Sequence, residues 1–164
     1  MDEERYRAAE QTLWDSLGVR PSERAVPLTR WGTSVRVQEV GAGRPVLFVH
    51  GGSSSGANWA QLVTHLEGFR CILLDRPGCG LSPALPGFPA QDLREFLTAA
   101  DRLVPEVVEG LGAESMPVVT TSMGSLFTMR GAAHRPERVE SITTFGYVFG
   151  AELERLPLLS LIHI

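Results

Sequence analysis

At 164 residues, 43% of them apolar, the chain is long enough for one folded domain that buries roughly 70% of its unfolded surface. A formal net charge of −4 and a pI near 5.6 argue against nucleic acid or an anionic membrane as the main partner, because an acidic chain offers phosphates few favourable contacts. All 15 basic residues are arginine, so lysine Schiff-base chemistry and the P-loop lysine are excluded.

The opening Met1-Asp2-Glu3-Glu4 is acidic and lacks the charged-then-apolar order of a secretory signal, and no apolar run is long enough to span a bilayer. A cytoplasmic protein with a small-molecule partner is therefore expected, with no nucleic-acid or membrane partner. Tyr6, Ala9, Leu13, Trp14 and Leu17 recur at helical spacing before Gly18 and predict an amphipathic helix with a glycine stop. Ser34 to Val40 sets Val35 and Val37 against polar Arg36 and Gln38, the pattern of a half-exposed strand, and Gly41-Ala42-Gly43 turns it into the run Pro45 to Val49.

Apolar runs recur at Cys71 to Leu74, Met116 to Val119 and, less purely, Val139 to Phe145, as suits parallel strands buried on both faces. Helical patterns lie between them, at Asn58 to Glu67, at Gln91 to Leu111 with Pro105 expected to kink or restart the helix, and at Ser122 to Ala133. This alternation predicts an α/β fold with a doubly wound, mostly parallel sheet, whose functional residues occupy loops at the carboxyl ends of the strands. Those loops are His50 to Ala57, Asp75 to Pro86 and Thr120 to Ser125. Cys71 falls in a strand and Cys79 in a Gly-Pro turn, which reads as two separate thiols rather than a disulfide or a metal site.

The first loop, HGGSSSGANW, fails as a phosphate cradle: Gly51 and Gly56 have P-loop spacing, but Ala57-Asn58 stand where Lys and Ser/Thr are required. Ser53 likewise replaces the second glycine of a dinucleotide fingerprint, although Asp75 sits where a ribose-binding acid would. The same backbone N–H groups could instead stabilise an oxyanion, for which no lysine is needed. In the third loop Ser122 stands in Thr-x-Ser-x-Gly, one residue from the Gly-x-Ser-x-Gly nucleophile elbow, with Thr120 the departure and Gly124 the match. The alternative is that Ser122 simply caps the following helix.

The order of PVLFV-HGG, CILLD-RPGCGLS, PVVTT-SMGS and AAHRPERV is far more specific than any one motif, and with it residues from about 28 to 150 resemble the N-terminal part of a serine α/β-hydrolase. The resemblance implies a covalent mechanism with Ser122 as nucleophile, the backbone N–H groups of Gly52 and Met123 as oxyanion hole, His50 and Asp75 in structural roles, and neither cofactor nor metal. It divides the chain into a helical lead-in at 1–27, the hydrolase core at 28–150, and the start of a lid region at 151–158.

In that family the acid and then the histidine follow the serine. His134 lies twelve residues along the helix, roughly 18 Å away at 1.5 Å per residue, and no aspartate follows Ser122 at all. His163 belongs to LSLIHI, residues 159–164, which back-translates to a string resembling the transposon end used in DNA library preparation and is expected to be a non-native, adapter-encoded tail. The expectation is thus a fragment of a hydrolase acting on a small ester, amide-like or carbon–carbon bond, itself inactive. The alternatives are a non-catalytic α/β-hydrolase-fold protein that binds a small ligand and, from the glycine loop plus Asp75, a nucleotide-dependent oxidoreductase.

Overall fold

Asp2 opens the chain's first helix by accepting the Arg5 N–H at 3.2 Å, and Glu3 and Glu4 in the first turn complement the helix dipole. A computed structural model describes residues 2–87 and 92–147. Helix α1 spans Glu3–Ser16 and buries Trp14 to 2% exposure. Strand β1, Ser22–Leu28, forms an antiparallel pair with β2, Thr33–Val40, from Ser22↔Glu39 to Leu28↔Thr33. It was not anticipated in the lead-in, where Pro21 and Pro27 bracket only a short apolar signal.

β3 (Arg44–Val49), β4 (Phe69–Leu74), β5 (Met116–Ser122) and β6 (Val139–Tyr147) run parallel, and the six-stranded sheet has the order β1-β2-β4-β3-β5-β6. β3 has β4 on one side and β5 on the other, with Val49 opposite both Leu74 and Thr120. Strand order therefore reverses at β3, and the segments leaving β3, β4 and β5 emerge together at the switch point where such sheets place their sites. The parallel strands carry the antiparallel β1 and β2 on one flank, and the sheet is open rather than closed.

Both faces are covered, as continuous apolar runs require. Leu47, Val49, Ile72 and Leu74 pack on α3 (Leu93–Gly110) and α4 (Met123–His134), through Phe96, Leu103, Val107, Leu126 and Phe127. Val46, Phe48, Cys71 and Leu73 face the other way, onto Trp14, Trp59 and Val63. Each fully buried aliphatic or aromatic side chain contributes about 1.5–3 kcal/mol of transfer free energy.

Three expectations are corrected. The helix at 58–67 shrinks to a 3-10 turn, Gly56–Trp59, and the four-residue α2, Ala60–Val63. The chain must leave it early to bring Gly68 against the β2–β3 turn, where its carbonyl accepts the Arg44 N–H at 3.1 Å and sets the register of β4. α3 runs unbroken through Pro105, which is buried where α3 crosses α4 so closely that a Cβ on Gly131 would lie 2.8 Å from Pro105 Cδ. β2 is not half-exposed: Arg36 is 6% and Gln38 4% exposed, because α1 lies over them and supplies Glu10 as partner to both. The expected lid start and tail, residues 151–164, with His163 among them, lie outside the described residues.

Candidate active site

Ser122 ends β5 and flanks α4 with φ 49° and ψ −122°. A non-glycine residue held there costs about 1–3 kcal/mol, and such strain persists only when the surroundings dictate it. Its side chain makes no capping hydrogen bond to α4, so the ordinary helix-cap alternative does not describe it. What dictates the turn is the closeness of strand and helix. A Cβ on Gly124 would lie 2.5 Å from the Val49 carbonyl oxygen, 2.6 Å from that of His50 and 2.7 Å from Thr120 Oγ1.

Thr120, the departure from the glycine pattern, is wholly buried, and its hydroxyl donates to the Val49 carbonyl at 3.2 Å. Its branched side chain fits because Gly124 leaves the facing space bare.

The loop after β3 lies directly against Ser122: a Cβ on Gly51 would be 3.2 Å from Ser122 Cβ and 3.7 Å from Oγ. Gly52 follows at once, and Ser53 carries the other positive φ outside glycine among the described residues, 49°. Met123, at 4% exposure, begins α4 with its side chain in the core. Its backbone is therefore the part available to the site.

His50 is fully buried. The Arg76 backbone N–H donates to Nε2 at 3.0 Å, which puts the ring proton on Nδ1, 2.7 Å from the Gly51 carbonyl. Burial, and then the Arg76 charge, push its pKa from 6.5 down to about 3. With both nitrogens engaged and the ring neutral, His50 holds the loop and has no lone pair for Ser122.

Asp75 ties two of the loops to strand β2. Oδ1 accepts the Gly56 N–H at 2.7 Å, while Oδ2 accepts the Leu81 N–H and Arg36 Nη1, each at 3.0 Å. At 2% exposure and with both oxygens occupied, it is no ribose acceptor, which removes the acid from the nucleotide reading. Arg36 also binds Glu10 and Glu23, at 2.5 Å each from Nη2. Burial alone would push the Arg36 pKa down, yet its three carboxylate partners raise it above the ordinary arginine value. For Glu23, burial pushes up, and the Arg36 hydrogen bond and charge outweigh it to hold the carboxyl low.

Sequence reasoning missed this cluster, and its signal was present only as a charged residue inside an apolar alternation, Val35-Arg36-Val37. Among the described residues, no histidine or carboxylate hydrogen-bonds to Ser122, and no three His, Cys, Asp or Glu side chains are grouped to hold a metal ion. His134 closes the far end of α4 and is exposed. Nearby aromatic side chains belong to the core: Trp59 packs edge-on to Phe48 at 5.5 Å between centroids, and Phe127 to Phe96 at 5.6 Å.

A family model described as alpha/beta hydrolase fold matches residues 44–156. The chain is 33% identical to a pimeloyl-(acyl-carrier protein) methyl ester esterase of Chromobacterium violaceum over 107 residues, 65% of this chain and 38% of that protein. It is 32% identical to a 2-hydroxy-6-oxononadienedioate/2-hydroxy-6-oxononatrienedioate hydrolase of Paraburkholderia phymatum over 135 residues, 77% of this chain and 45% of that protein. The crystal structure of carboxylesterase CesB from Bacillus subtilis superposes with a TM-score of 0.70 at 19% identity, over 87% of this chain and 49% of that one, a likeness of fold. The chain thus spans less than half the length of these curated relatives. Among the described residues no helix is long and apolar enough to cross a membrane.

Proposed function

The chain belongs to the α/β-hydrolase fold family, and on that premise we propose that it carries the nucleophile half of a serine hydrolase acting on a small ester, amide-like or carbon–carbon bond. The observation that carries this reading is the strained backbone of Ser122, imposed by Gly124 and left without a capping bond. In the proposed reaction Ser122 Oγ adds to the substrate carbonyl and its proton passes to a histidine supplied by the rest of the full-length protein. The resulting oxyanion is held by the Gly52 and Met123 N–H groups. Collapse expels the leaving group, and water then cleaves the acyl-enzyme. Losing one such donor costs roughly 3–4 kcal/mol of barrier.

The chemistry named for the relatives, hydrolysis of a methyl ester and of an oxo-dienedioate, supports a carbonyl substrate and leaves the substrate of this protein to be assayed. By this reading the 164-residue chain has negligible turnover of its own, since among the described residues no base bonds its serine. The test is labelling of the full-length gene product with a fluorophosphonate. Modification at Ser122, abolished by Ser122→Ala, is the expected result; an unlabelled Ser122 in a folded, full-length protein overturns it. Burst release of an aryl alcohol by the 164-residue chain overturns the inactivity.

A further inference from the structure

Two donors converge on one carbonyl beside the nucleophile. The Gly51 oxygen takes His50 Nδ1–H at 2.7 Å and Arg76 Nη2–H at 2.6 Å. That oxygen and the Gly52 N–H belong to the same planar peptide unit, so whatever fixes the carbonyl also fixes where the N–H points. Arg76 is itself held in place: its own backbone N–H donates to His50 Nε2, and its guanidinium carbon stands 5.1 Å from the centroid of the Phe127 ring.

The charge state of this arginine sets it apart. Arg76 is 8% exposed, yet among the described residues no carboxylate pairs with it, and its Nε–H has no acceptor. Arg36, the other arginine buried among the described residues, has three carboxylates. A buried cation without a counter-ion is costly to keep. Here its field falls on the Gly51 carbonyl, draws electron density toward the oxygen, and leaves the Gly52 hydrogen more positive. This is the cooperative strengthening of one hydrogen bond by another through a shared amide.

Resting on the proposed role of Gly52 as oxyanion donor, we propose that Arg76 is a positioning residue of the oxyanion hole, whose guanidinium clamps and polarises the 51–52 peptide so that Gly52 N–H binds the developing oxyanion more strongly. The residue touches neither substrate nor Ser122 and acts only through the peptide it holds. A cation placed behind an oxyanion donor gains most when negative charge develops in front of it, so its effect belongs to the chemical step and not to substrate binding.

The experiment uses the full-length gene product as wild type, Arg76→Met and Arg76→Lys, with three readouts. These are the rate of fluorophosphonate labelling at Ser122, kcat and KM for an activated aryl ester, and the amide resonance of Gly52 before and after labelling. In the wild type the Gly52 resonance moves on labelling, because the phosphonyl oxygen occupies the oxyanion position. Arg76→Met slows labelling and lowers kcat by about tenfold or more, with KM changed less than about twofold, and Arg76→Lys falls between the two.

A wild-type Gly52 resonance that stays put on labelling overturns the Gly52 assignment beneath the proposal. If that resonance moves but Arg76→Met labels at the wild-type rate, or loses KM instead of kcat, the role of Arg76 alone is overturned. Should Arg76→Met fail to fold, Arg76→Lys decides: wild-type labelling with an unmoved Gly52 resonance overturns the clamp, and slowed labelling with a moved resonance upholds it.

Discussion

Ser122 has a backbone conformation suited to glycine, that of the first central residue of a type II′ turn, and keeps a side chain there at the expense of stability. Ser122→Gly is therefore expected to raise the unfolding free energy by about 1 kcal/mol while abolishing fluorophosphonate labelling in the full-length protein. Urea titration checks the first half, and a loss of stability instead would mean that the turn is not strained. His50 gives a second prediction, in pH. Its pKa falls from 6.5 unfolded to about 3 folded, so between these values the unfolded chain binds the extra proton. The stability owed to its neutral, buried ring is fully present above about pH 6.5 and drains away as pH falls toward 3. His50→Gln should flatten the dependence of the urea midpoint on pH between 7 and 5, whereas an unchanged slope would assign it to carboxylates such as Glu23. The structural roles of His50 and Asp75 came with the family resemblance, and the hydrogen bonds each makes to loop backbone agree with them.

At the level of elements, helix α1, like β1 and β2, precedes the family match, which starts at residue 44. It is tied in by Trp14, buried against β2, β3 and β4, and by Glu10, whose carboxylate bonds Arg36 and Gln38. Arg36 continues to Asp75, and Asp75 to the Gly56 and Leu81 amides, so the helix is linked by hydrogen bonds to two of the three loops at the switch point. Glu10→Gln leaves a buried guanidinium short of one charge and should lower the unfolding free energy by about 3 kcal/mol. The fall is to be read by chemical denaturation, and a change below about 0.5 kcal/mol would show that Glu23 and Asp75 suffice. The period-3.6 pattern announced α1, but not what it covers. That β2 presents Arg36 inward follows from a helix and β1 arriving to enclose it, contacts that no local alternation encodes.

Over the whole molecule, β6 forms the outer edge of the sheet: among the described residues no strand pairs with its far side, and Phe145 is 54% exposed there. A long parallel edge strand carrying an exposed aromatic is a template for association. The 164-residue chain is expected to elute as concentration-dependent oligomers in size-exclusion chromatography, and Phe145→Lys to shift it toward monomer. A wild-type chain that stays monomeric across micromolar concentrations would show that edge to be covered. What the sequence determined by itself was the order of strands and helices from β2 onward, the three loops and the serine turn, because apolar period and glycine placement are local properties of the chain. What only the tertiary structure decided was how those loops meet. Gly51 lies against Ser122, Thr120 is admitted because Gly124 is bare, and Arg76 reaches back to the Gly51 carbonyl. The contacts of Gly51 with Arg76 and Ser122 join residues 25 and 71 positions apart, and they exist because the strand order reverses at β3, which the pairing of strands imposes and no single segment specifies.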